Sequence, residues 1–129
     1  MKSLLLILVL GASVVNTPAY AHHSFASYYL EKQSMSIEGE VVKFEYRSPH
    51  VWVYIVTKDD KGETLQYAAE WFNPNRLKQQ GITSDTIKPG DHVILVGSPG
   101  RNPADQRLHL KGIQRPADGW KSGIIITAR

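Results

Sequence analysis

Two adjacent histidines, His22 and His23, follow the triplet 19–21 (AYA) near the start of the chain. A small-x-small triplet after an apolar run is the form that signal peptidase cuts. Cleavage after Ala21 would free an α-amine on His22, and this amine and its own imidazole can chelate one metal ion. Nitrogen ligands bind copper most tightly among the divalent first-row metals. The junction therefore predicts a copper site at the mature N-terminus.

A further imidazole must come from elsewhere in the chain. His50 is the preferred partner because it opens the strongest strand-type run, and the carboxylate of Glu70 is expected nearby as a weak ligand or as a support for the imidazole. His92 and His109 are less favoured candidates. His23 offers a second arrangement, in which the amine, an amide nitrogen and its imidazole bind Cu(II). The predicted metal set is His22, His23, His50 and Glu70.

The other motifs indicate no reaction, so we expect no enzymatic activity. No cofactor is certain, and copper is the one candidate. Ser98 in VGSPG lacks the G-x-S-x-G pattern of a nucleophile elbow, and the sequence has neither a phosphate loop nor a dinucleotide fingerprint. The absence of cysteine excludes disulfides and thiolate metal sites. Two alternatives stay open. One is a structural or protein-interaction barrel of the cell envelope without metal; the other, with less support, is a copper redox enzyme.

Length and charge restrict the class of protein. The 129 residues suffice for one domain. The apolar run 4–15 is shorter than the ~20 residues of a membrane span, and with Lys2 before it the run is typical of a signal peptide. We therefore expect export, to the periplasm of a Gram-negative source, and no membrane span. Removal of Lys2 lowers the net charge from +3 to about +2, which does not indicate nucleic-acid binding. The sequence indicates no oligomeric state.

The elements that must position these residues are mostly strands. Strand-type runs occur at 36–46, 50–58, 63–72, 92–97 and 107–114. Gly39 suits a bend or bulge in the first run. A short helix follows the third, with Asn73 as N-cap, Pro74 at its first position and Gly81 at its exit. The order strand-strand-strand-helix-strand-strand predicts an all-β fold with one short helix, a small five-stranded OB-like barrel. Another small barrel or an open antiparallel sheet are the alternatives.

The turn between the second and third strands sets their register. A three-residue loop at 60–62 with a left-handed Gly62 pairs Asp59 with Glu63, whereas an even-length loop would bury Glu70 at high cost. The odd loop turns Val51, Val53, Ile55, Tyr67, Ala69 and Trp71 into the barrel. It turns His50, Trp52, Tyr54, Ala68, Glu70 and Phe72 outward. OB-folds bind ligands on this outer face, so Trp52, Tyr54 and Phe72 are the predicted ligand or partner surface.

The chain divides into a signal peptide (1–21), an N-terminal segment folding back on the barrel (22–34), the barrel (35–115) and a C-terminal tail (116–129). Exposed aromatics outside a barrel favour a cover, and Phe25, Tyr28 and Tyr29 are suited to that role. Such a cover would carry His22 and His23 towards His50. The apolar run 124–126 in the tail is either a closing strand or a free end.

Four stretches resemble those of a known family: AHHSF (21–25), SPHVW (48–52), FNPN (72–75) and KPGD (88–91). The chain is similar over nearly its whole mature length to this family of small exported bacterial proteins of unknown function. HHSF together with PHVW is fairly specific, whereas KPGD is a common turn. The resemblance implies an exported, β-rich module without an established activity. Its motifs fall on His22, His23, Ser24, Phe25, Pro49, His50, Val51 and Trp52.

Overall fold

Six strands and two short α-helices form within residues 24–124, the part of the chain that the computed structural model describes. They are α1 (Phe25–Tyr28), β1 (Met35–Glu45), β2 (Trp52–Lys58), β3 (Thr64–Glu70), α2 (Pro74–Gln79), β4 (His92–Pro99), β5 (Arg107–Arg115) and β6 (Trp120–Gly123). A single 3-10 turn, Pro103–Asp105, lies between β4 and β5. The five expected strands and the helix between the third and fourth are present, so the predicted all-β class is confirmed.

The sheet closes on itself. Its order is β3-β2-β1-β4-β5, with antiparallel neighbours, and a parallel pairing of β3 with β5 joins the two ends. This closure confirms the OB-like barrel and excludes the open sheet. It also removes the unpaired edges that β3 and β5 would otherwise expose along the paired stretch.

β6 extends the sheet beside β5, in the stretch expected to be a tail. It lies ahead of the apolar run 124–126, of which only Ile124 is described, with 62% of its surface exposed. The strand carries one large apolar side chain, Trp120, whose ring lies 5.3 Å from the guanidinium of Arg115. Its lack of β-branched residues explains why the sequence pattern did not indicate it.

The inner face of the β2–β3 hairpin builds the core. Trp52 pairs with Glu70 and Ile55 with Tyr67, which confirms the predicted register. Gly62 takes the left-handed conformation that the three-residue loop requires, with φ +80°. The residues turned inward are almost fully buried, apart from the partly buried Tyr67: Val51, Val53, Ile55, Ala69 and Trp71.

The helix α2 has the expected caps and packs against the core through Leu77. The Asn73 side chain accepts a hydrogen bond from the Arg76 N–H at 2.9 Å, and Pro74 is the first helical residue. Leu77 turns its fully buried side chain into the core. None of the helices within 24–124 is long and apolar enough to cross a bilayer.

β1 serves both halves of the barrel. Its first part, Met35–Glu40, pairs with β4, and its second part, Glu40–Glu45, pairs with β2. Gly39 lies just before the residue at which β1 changes its pairing partner from β4 to β2. A Cβ added at Gly39 would collide with the carbonyl oxygen of Val56. The expected bend at Gly39 is therefore a close approach of two backbones, and the irregular register lies further along, between Val41 and Lys43.

Candidate functional site

Three neighbouring strands present side chains at one level outside the barrel. Trp52 of β2 pairs with Glu70 of β3, and Glu70 pairs with His109 of β5. Successive residues of a strand point to opposite faces, and the inward neighbours Ala69 and Leu108 are fully buried. Because β3 and β5 meet only where the barrel closes, the contact between Glu70 and His109 depends on that closure.

The carboxylate of Glu70 is the centre of a hydrogen-bond network. Its Oε1 lies 2.7 Å from His50 Nδ1, and its Oε2 accepts from the Tyr29 hydroxyl at 2.5 Å. A guanidinium nitrogen of Arg107 lies 3.6 Å from the same Oε2. A carboxylate can only accept, so His50 Nδ1 carries the proton. Both oxygens of Glu70 are thus occupied, and the carboxylate fixes the orientation of the imidazole.

Tyr29 ties the N-terminal segment to this network. Its side chain is fully buried. Burial, followed by the hydrogen bond to Glu70, raises the pKa of Tyr29, so the phenol stays protonated as a donor. Its backbone forms an antiparallel bridge with Gly100, and the Leu30 N–H donates to the Pro99 carbonyl at 2.9 Å. The segment is therefore anchored at residues 29–30.

Phe25 lies one helical turn before that anchor and covers the imidazoles. Its ring is 3.7 Å from the ring of His109, centroid to centroid, with 6° between the planes. It is also 5.0 Å from the ring of His50, with 26° between the planes. Of the three expected covers, Phe25 and Tyr29 contact this outer face. Tyr28 keeps 49% of its surface exposed.

His109 is the site residue that sequence reasoning ranked low. It is 5% exposed, and its Nδ1 lies 2.8 Å from the Oε1 of Glu31. Its Nε2 is buried without a hydrogen-bond partner among residues 24–124. Burial lowers the pKa of His109, so the ring is neutral, with the proton on Nδ1 and a lone pair on Nε2. The alternation Leu108-His109-Leu110 is the sequence signal that could have placed this side chain outside the barrel.

The predicted metal set is only partly within the described residues. The structure brings His50 and Glu70 together, while His22, His23 and the expected cleavage site lie before its first described residue. Within 24–124 there is no group of three or more His, Cys, Asp or Glu side chains that could hold a metal ion. A three-ligand site here would need a ligand from outside that range.

The predicted aromatic surface divides into two parts. Trp52 and Tyr54, both partly buried, stack with centroids 6.2 Å apart and 23° between the planes. The guanidinium of Arg107 lies 5.0 Å from the Trp52 ring. Phe72 lies on the other side, edge-on to His109 at 6.2 Å, with the guanidinium of Arg76 stacked 3.6 Å from its ring. Each part of the aromatic surface therefore has its own cation, Arg107 beside Trp52 and Arg76 beside Phe72.

His92, the other low-ranked histidine, lies elsewhere on the barrel. Its Nε2 is 2.7 Å from the Oε1 of Glu38, between β4 and β1. Both side chains are more than half exposed, at 55% and 58%. This pair supplies a matched reference for the covered imidazoles.

Comparison with known proteins gives a family and a fold. The model of a family of unknown function, DUF6152, matches residues 11–109. No curated protein matches the chain. Two crystal forms of Rim1, a mitochondrial single-stranded DNA-binding protein of S. cerevisiae, are similar in structure, at 18% identity with a TM-score of 0.50 and at 20% identity with a TM-score of 0.49. The matches cover 64% of this chain and 91% and 92% of the Rim1 chains. At this identity the likeness concerns the fold alone.

Proposed function

We propose that this chain, which belongs to the DUF6152 family of unknown function, is an exported, non-enzymatic module that binds one metal ion. The site lies on the outer face of β2 and β3, and copper suits its ligands best. The observation that carries the proposal is the 2.7 Å contact between His50 Nδ1 and the Glu70 carboxylate. Metal-binding histidines almost always donate their second ring N–H to a carboxylate, a carbonyl or a water in this way.

In the neutral imidazole, this contact leaves the lone pair on Nε2 of His50. Among residues 24–124 this nitrogen has no hydrogen-bond partner, and 32% of the side chain is exposed. Tyr29 and Arg107 hold the far side of Glu70. The imidazole is therefore oriented before any ion arrives, which reduces the entropy lost on binding.

The mature N-terminus is within reach of this imidazole. His22 is three residues before Phe25, whose ring contacts His50, and three residues of extended chain span about 10 Å. With a free amine, His22 supplies two nitrogens and His50 a third. His23 supplies the alternative set with an amide nitrogen. Nitrogen donors without thiolate favour Cu(II) among the available divalent ions.

Export is part of the proposal because the amine exists only after the segment 1–21 has been removed. The mild net charge supports a ligand other than nucleic acid, and the DNA binding in Rim1's name is a property of that protein. Single-stranded DNA is a useful negative control in binding experiments with the same secreted protein.

The test is a Cu(II) titration of protein secreted with its own signal peptide. Mass spectrometry first establishes that the chain begins at His22, and calorimetry then measures affinity for wild type, His50→Ala and the control His92→Ala. We expect His50→Ala to weaken binding by about tenfold or more, as loss of a ligand should exceed loss of a supporting contact. His92→Ala should bind like wild type. Wild-type affinity no better than that of the free peptide His-His-Ser-Phe would refute the proposal.

The second candidate is a partner-binding barrel of the envelope without metal. The stacked pair Trp52–Tyr54 favours it, since aromatic rings beside a cation are common at protein interfaces. This candidate predicts that His50→Ala leaves Cu(II) affinity unchanged. The calorimetric series therefore separates the two.

A further inference from the structure

We propose that a cleft between residues 30–35 and the β4–β5 loop binds a small organic carboxylate that carries one ring. The cleft has a volume of about 220 Å³, and neither His50 nor Glu70 lines it. The proposal therefore goes beyond the metal site and does not depend on it. It is carried by apolar walls, by polar side chains without partners and by an excess of positive charge.

The walls of the cleft offer apolar surface to a ligand. They include Leu30, Met35, Tyr67, Pro99 and Pro103. Of these, Leu30, Met35, Tyr67 and Pro99 are only partly buried, so a ligand can cover the carbon surface that they still expose. A closed apolar cavity of about 150 Å³ takes up one benzene molecule. A cleft of about 220 Å³ therefore admits one ring together with a carboxylate.

Three polar side chains of the cleft have no hydrogen-bond partner among residues 24–124. They are the hydroxyl of Tyr67 and the amides of Gln33 and Gln106. Small-molecule sites are typically apolar clefts in which a few polar groups fix the orientation of the ligand. These three groups can donate to a ligand without giving up a bond inside the protein.

The charge of the cleft is positive. Arg101 and Arg107 line it, whereas no Asp or Glu of residues 24–124 does. Arg107 lies 3.6 Å from the Glu70 carboxylate, so its charge is partly balanced. The Arg101 guanidinium donates through Nε to the Ala26 carbonyl at 2.9 Å, and its terminal nitrogens have no partner in the same range. Two such nitrogens match the two oxygens of a carboxylate, and one unpaired guanidinium matches its single charge.

Backbone hydrogen bonds hold both walls of the cleft. The Leu30 N–H donates to the Pro99 carbonyl at 2.9 Å, and the Ala68 N–H donates to the Gln106 carbonyl at 3.0 Å. Gln106 has a left-handed backbone with φ +47°, which is uncommon for a residue with a Cβ. Backbone strain of this kind is found most often at functional sites. The cleft thus exists before a ligand arrives, which lowers the entropy cost of binding.

The experiment titrates the secreted protein, freed of metal with EDTA, with benzoate and with its neutral counterpart benzamide. Two-dimensional NMR identifies the backbone amides that shift and measures the affinity. We expect benzoate to shift amides within residues 30–35 and 100–107. Benzamide should bind about tenfold more weakly or worse, because it lacks the charge that pairs with the guanidinium.

Arg101→Gln tests the charge of the cleft. This variant should weaken benzoate binding by about tenfold or more and leave benzamide binding nearly unchanged. The matched control is Arg47→Gln, at an arginine that is 70% exposed and does not line the cleft. Its benzoate affinity should equal that of wild type.

Gln106→Gly separates a lost ligand contact from a folding defect. Glycine takes a φ of +47° without the steric penalty of a Cβ, which offsets the larger entropy that glycine loses on folding. The variant should therefore unfold at a temperature no lower than that of wild type. It should still bind benzoate more weakly, because it removes an amide from the cleft.

Three results would overturn the proposal. They are the absence of saturable shifts with benzoate, equal affinity for benzoate and benzamide, and wild-type benzoate affinity in both Arg101→Gln and Gln106→Gly. The metal proposal would stand in each case, because the Cu(II) titration with His50→Ala decides it separately.

Discussion

Two histidine–carboxylate pairs on this barrel share one contact distance and differ in their surroundings. His50 with Glu70 and His92 with Glu38 are both 2.7 Å apart. Glu70 is 13% exposed and has its second oxygen on a buried phenol, whereas Glu38 is 58% exposed. Exposed pairs are screened by water and contribute little. The two contacts are equal in length, so burial of Glu70 and the cover supplied by residues 24–31 distinguish the pair that carries the proposed site from the exposed pair.

The largest expected effect comes from removing the anchor of that cover. Tyr29→Ala deletes a fully buried aromatic side chain and leaves Glu70 without its donor. Replacing a buried aromatic by alanine costs about 3–5 kcal/mol, and we expect a loss in this range in urea unfolding. Tyr28→Ala, at a half-exposed side chain next in the chain, should cost far less. Equal losses would mean that the segment is held by its backbone alone.

A smaller effect should separate the two carboxylates. Glu70→Gln keeps the size of the side chain but removes the charge that accepts from Tyr29 and His50. Hydrogen bonds to charged groups contribute about 1.5–3 kcal/mol, so a loss of about that size is expected at pH 7. Glu38→Gln, on the exposed pair, should stay within about 0.5 kcal/mol of wild type. Unfolding curves at matched pH and salt measure the free energy of unfolding of both variants. Similar losses in the two variants would show that burial does not make the Glu70 contacts stronger than the Glu38 contact.

The pH dependence of stability sharpens the comparison further. Burial holds the pKa of His109 below the ordinary value of 6.5, so the unfolded chain binds a proton more readily than the folded one. The free energy of unfolding should therefore fall as the pH drops below about 6.5 and through the lowered pKa. His109→Gln should remove part of this acid-side loss, and His92→Gln should not. Parallel pH profiles for wild type and His109→Gln would contradict the expectation.

The smallest expected effect concerns the exposed pair on its own. His92→Ala should change the free energy of unfolding by no more than about 0.5 kcal/mol, because both partners are solvated. Added salt should reduce even this difference. Thermal unfolding at low and high ionic strength measures it. A larger, salt-resistant loss would show that exposure does not decide the strength of these pairs.

The sequence predicted most of the fold because the decisive signals are local. The Asp60-Lys61-Gly62 loop sets the register of β2 and β3, so it also placed Trp52 opposite Glu70. The caps of α2 are likewise encoded within a few residues, at Asn73 and Pro74. Such features depend on steric and hydrogen-bond preferences of neighbouring residues.

The low rank that the sequence analysis gave to His109 shows what local sequence signals cannot predict. Its position outside the barrel follows from alternation in β5, but its place beside Glu70 follows from the parallel register of β3 and β5. That register depends on how the whole barrel closes, and no turn encodes it. The helix α1 is similar: four residues carry too little periodicity to indicate a helix, and packing on the barrel determines it.

The seam between β3 and β5 is only three residue pairs long and includes Glu70 and His109. These residues are joined through α2 and β4, so their approach costs more chain entropy than any hairpin and is expected late in folding. The imidazoles and carboxylates would then gather only in the finished barrel, and a nascent or proteolytically clipped chain would lack the site. Any ligand that contacts both sides of the seam would favour the closed barrel by mass action. Binding of such a ligand would then report on the integrity of the fold.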